Sequence, residues 1–95
     1  MGAVPKTDVA SSRPSLSVAL RISQRLESLI AQLGTAGDLV RSSDGDARAR
    51  AVVSYRELRR LALQYRWFLE VQREAMGLRH HHRLDEFYRI PGDLS

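Results

Sequence analysis

The 95-residue chain holds 15 lysines and arginines against 11 acids, for a net charge of +4, with 43% apolar residues and no cysteine. These values describe one small globular domain and exclude a disulfide framework or thiolate chemistry. No stretch approaches the ~18 consecutive apolar residues of a membrane span, and no signal-type apolar core opens the chain, so a cytoplasmic protein is expected.

Residues 1–13 are poor in large apolar groups and read as a flexible N-terminal tail. Pro14 suits the first position of a helix, and a first helix is predicted over about 14–33. Its seam is Ala19, Ile22, Leu26, Leu29 and Leu33, at the alternating spacings of 3 and 4 that mark a coiled-coil contact, widened by Leu16 and Ile30. Gly34 follows the seam and is the expected left-handed stop. The next twelve residues, TAGDLVRSSDGD, have the glycine, serine and aspartate content of a loop, pinned by Leu39 and Val40. Asp44 or Asp46 is expected to cap the second helix by accepting its free N–H groups.

The second helix is predicted over about 46–76. Its seam runs through Ala51, Tyr55, Leu58, Ala62, Tyr65, Leu69, Gln72 and Met76. A second line, Leu61, Phe68 and Ala75, lies beside that seam, and a third, Leu63, Trp67 and Val71, lies on another side of the helix. Arg59, Arg66 and Arg73 form a stripe between the seam and the third line. The positive excess is confined here: residues 47–79 hold eight arginines against three glutamates, while residues 1–46 balance five against five. Beyond Gly77 the pattern loses phase, but Leu84, Phe87, Tyr88 and Ile90 allow a short third helix ending before Pro91, with 91–95 as a tail.

A helix with two apolar faces needs more cover than one partner helix supplies. The expected fold is therefore all-α: an antiparallel two-helix hairpin in a single domain over 14–90, with a short C-terminal helix, paired into a homodimeric four-helix-type bundle. The single-chain alternative lays the C-terminal segment over the Trp67 side.

Chemistry-bearing patterns are weak. Three consecutive histidines, His80 to His82, point about 100° apart on a helix and cannot converge on one metal. Glu57 lies three residues before Arg60 and Glu70 lies near Arg66 and Arg73, and these two with Glu74 suit a solvated surface better than acid–base work. No nucleophile stands beside a base, and no glycine-rich phosphate loop is present. No catalytic residue, metal site or cofactor is expected.

The expected function is a non-catalytic helical protein–protein interaction module, an adaptor, regulatory or assembly subunit. Tyr55, Leu58, Leu63, Tyr65, Trp67, Phe68 and Val71 are its candidate interface residues, with Arg59, Arg66 and Arg73 setting orientation. Its partner would be a second copy, another helical protein, or both. The alternative is a small basic nucleic-acid-binding protein that uses the arginine-rich second helix.

Overall fold

The computed structural model describes residues 16–78 and 82–94. Among these residues the structure is all-helical, with α1 spanning Leu16–Ser42, α2 Gly45–Ala75 and α3 His82–Phe87. The two long helices pack against each other as an antiparallel hairpin, and the chain continues past α3 without regular structure to residue 94.

The predicted seam of α1 is its buried edge. Leu26, Leu29 and Leu33 have no exposed surface, and Ala19, Ile22 and Ile30 pack half-buried against them. Leu16 does not widen that seam; its side chain is exposed. On α2 the buried residues are Ala51, Tyr55, Ala62 and Leu69, with Leu58, Leu61 and Tyr65 half-buried beside them. Truncating one of the three fully buried leucines to alanine removes contacts on every side, which costs about 2–5 kcal/mol in such cores.

The end of α1 differs from the sequence-based expectation. The helix does not stop at Gly34 but runs on through the expected loop to Ser42. Leu33, Ala36, Gly37 and Val40 continue the buried edge at helical spacing, and burying them outweighs the poor helix propensity of two glycines. Gly37 faces the Tyr55 ring of α2, and a Cβ there would stand 3.5 Å from that ring, an ordinary contact. Val40 is indeed held in the core, whereas Leu39 points outward.

The hairpin therefore turns on two residues, Ser43 and Asp44, and on the left-handed backbone of Gly45 at φ +58°. Asp44 occupies the N-cap position of α2, but neither it nor Asp46 plays the expected part, since no side chain caps this end by hydrogen bonding. The Asp44 main-chain carbonyl accepts from the Arg48 N–H instead, at 3.3 Å. Asp46 lies in the first turn, where its charge suits the helix dipole.

The left-handed stop belongs to α2. Gly77 has φ +89°, its N–H donates to the Glu74 carbonyl, and the Leu78 N–H donates to the Arg73 carbonyl at 2.8 Å. That pair of bonds is the Schellman arrangement. After α3, which buries Leu84, the chain runs back along α2 as a strap, with Tyr88, Ile90 and Leu94 half-buried against the core. The strap passes Arg66, then Arg59, then Tyr55, so it lies antiparallel to α2.

Candidate functional site

Two flanks of α2 carry the residues singled out from the sequence, and they are used differently. On the first, side chains hold the strap. Arg66 donates from Nη1 to the Tyr88 carbonyl at 3.3 Å and lies 3.6 Å from an Asp85 carboxylate oxygen. Arg59 donates from Nε to the Pro91 carbonyl at 2.9 Å, and the Tyr55 hydroxyl donates to the Gly92 carbonyl at 2.8 Å. Arg56 pairs with Asp93 at 3.4 Å. The Asp93 carboxyl is held below the usual carboxylate range, first by the Leu94 N–H that it accepts and then by the nearby Arg56 and Arg59 charges.

Three of these contacts reach main-chain carbonyls, which explains why the strap was invisible to residue patterns. A carbonyl acceptor is present at every residue, so the positions that guanidinium groups choose leave no signature in the sequence. Residues 91–94, expected to form a tail, supply two of the three carbonyls. The described strap also occupies the arginine flank rather than the Trp67 flank, so residues 88–94 do not cover that tryptophan as the single-chain alternative requires.

On the second flank the side chains face outward. With about 100° between successive helix residues, Trp67 and Val71 stand roughly opposite the buried Ala62 and Leu69, and Leu63 lies nearer to them on the side. Trp67 is 58% exposed and Val71 40%, while Leu63 is half-buried. The Trp67 and Phe68 rings lie 5.7 Å apart, and Phe68 meets Tyr65 edge-on at 5.5 Å. Each aromatic contact fixes a neighbouring ring and limits the entropy that Trp67 would lose on being covered.

The remaining candidates divide between core and open end. Tyr55 is a core residue, and Leu58 is half-buried against the same cluster. Arg73 lines a cavity of about 440 Å³ between the open ends of the two long helices, where Ala19, Leu20, Leu69, Met76, Leu84 and Phe87 form apolar walls. The Glu57–Arg60 pair forms as the spacing suggests, at 2.7 and 3.1 Å. The hydrogen bonds from Arg60, chief among the causes, lower the Glu57 carboxyl and raise the Arg60 guanidinium. Arg66, expected near Glu70, is turned to the strap instead. The histidine cluster at 80–82 lies outside the described side chains.

Of the arginines on α2, Arg48, Arg50, Arg56 and Arg60 are exposed, and the last two already face carboxylates. Among the described residues no helix is long and apolar enough to cross a membrane, and no three histidine, aspartate or glutamate side chains gather at one point. No family model, curated protein or solved structure matches the chain.

Proposed function

We propose that the chain is a non-catalytic helical interaction module of the cytoplasm, an adaptor, regulatory or assembly subunit that self-associates through the Leu63–Trp67–Val71 flank of α2. The observation that carries this reading is the exposure of Trp67, 58%, in the middle of an apolar stripe. An aromatic anchor of this kind supplies a large share of the energy at protein interfaces, and an apolar stripe in water is a standing cost to a monomer. Leu63 stands half-buried on one side of Trp67, and the Phe68 ring packs against it on the other.

The experiment is the solution mass of the intact chain against concentration, by light scattering, at low and high salt and with the nucleic-acid absorbance ratio recorded. A dimer of about twice 10.7 kDa that ignores salt is expected. Trp67→Ala should shift it to monomer while leaving helicity unchanged. A monomer that carries nucleic acid at low salt and sheds it at high salt would replace this reading with the nucleic-acid one, which the exposed Arg48 and Arg50 favour.

A further inference from the structure

We infer that the partner on this flank is a second copy packed α2 against α2 in antiparallel register, with Trp67 on the two-fold axis. The inference rests on the self-association proposed above and adds its geometry. Five residues, Arg60, Leu63, Trp67, Val71 and Glu74, fall within about 80° of arc on α2 at 100° per residue. Arg60 and Glu74 are exposed at the two ends of that stripe.

The order of these residues is what selects the register. In an isologous contact residue i meets residue j of the partner and j meets i, so a helix that packs on its own copy about Trp67 sets position 67−n level with position 67+n. Leu63 then faces Val71 of the other copy, and Arg60 faces Glu74, each pair occurring twice. The stripe is symmetric in apolar character about Trp67 and opposite in charge at equal distances from it. Gln64 and Glu70, three residues either side of Trp67, continue the pattern as an amide donor and a carboxylate acceptor at the rim.

Other arrangements lose this match. A parallel pairing sets Arg60 against Arg60 and Glu74 against Glu74, with like charges at both ends. The Glu57 carboxylate does not consume Arg60, because the pair uses Nε and Nη2 and leaves Nη1 outside these bonds. The strap's contacts from Tyr55, Arg59 and Arg66 lie off this arc, and its ion pair with Arg56 falls in line with the stripe one turn beyond Arg60, outside the five residues that make the contact.

Charge reversal on the full chain tests the register. The dissociation constant would be measured by sedimentation for the wild type, Arg60→Glu, Glu74→Arg, the double variant, and an equimolar mixture of the two single variants. Circular dichroism on each would establish equal helicity. Each single reversal turns both rim pairs repulsive and should weaken the dimer by about tenfold. The double variant and the mixture restore opposite charges and should return close to wild type. Loss in both single variants with return in the double variant selects the antiparallel register, because a parallel pairing keeps like charges opposed in all of these homodimers. Recovery in the mixture excludes the local repulsion that Arg60→Glu sets up beside Glu57 as the cause of the loss.

A wild-type dimer whose affinity ignores the single reversals, or that the double variant fails to rescue, overturns the antiparallel register and leaves self-association standing. A wild type that stays monomeric at every concentration overturns self-association and the register with it.

Discussion

Asp93 shows how a residue without a sequence motif comes to matter. It stands near the end of the strap, accepts the Leu94 N–H at 2.8 Å, and faces Arg56 across from α2. Its folded carboxyl is depressed, so the stability it contributes is fully present above the ordinary aspartate range and is lost as pH falls through and below that range. Because both partners of the ion pair are about half exposed, the effect is local rather than global. Amide exchange should show the Leu94 N–H losing protection on acidification while Leu26 and Leu29 stay protected, and Asp93→Ala should remove that protection already at neutral pH. Sequence reading found the arginine stripe but not its occupant. Arg59 and Arg66 stood out by type and spacing, while the carbonyls of Tyr88 and Pro91 that they bind could not.

At the scale of the element, two glycines separate composition from spacing. Gly34 follows an apolar seam and looks like a stop, yet it lies inside α1 with open space around its α-carbon. Gly77 has φ +89° and open space as well. Gly34→Ala should therefore stabilise the chain by about 1 kcal/mol through helix propensity, whereas Gly77→Ala should destabilise it by about 1–2 kcal/mol through the left-handed backbone. Urea denaturation of the two variants reads both signs, and a loss of stability in Gly34→Ala would return the helix end to residue 33. The helical spacing of Leu33, Ala36 and Val40 was present in the sequence throughout. It was hidden by the polar and glycine content around it, because composition describes a window while burial needs only one residue in three or four. The second helix gave no such conflict, and its predicted limits of about 46–76 match Gly45–Ala75 closely.

The whole molecule is long and thin, with a Cα radius of gyration of 17.2 Å where a compact chain of this length has about 12 Å. A hairpin of this shape buries one edge of each long helix and leaves the back of α2 to whatever else it meets. The two-faced pattern of α2 was legible from periodicity alone, and Trp67 and Val71 are left uncovered among the described residues. What closes that face was not legible, since a second copy and another helix bury the same residues. Coupling between folding and assembly distinguishes a molecule completed by its own copy. If unfolding releases two chains from one dimer, mass action makes the melting temperature depend on concentration, by about 3–5 °C per tenfold for a dimer of domains this size. Calorimetry on the full chain over two decades of concentration should show that slope. Trp67→Ala should abolish the slope and leave a concentration-independent melt, because the buried leucines of the hairpin core remain while the contact between copies is gone. A flat wild-type melt would mean that the hairpin and its strap are stable alone and that the Trp67 flank waits for a different protein.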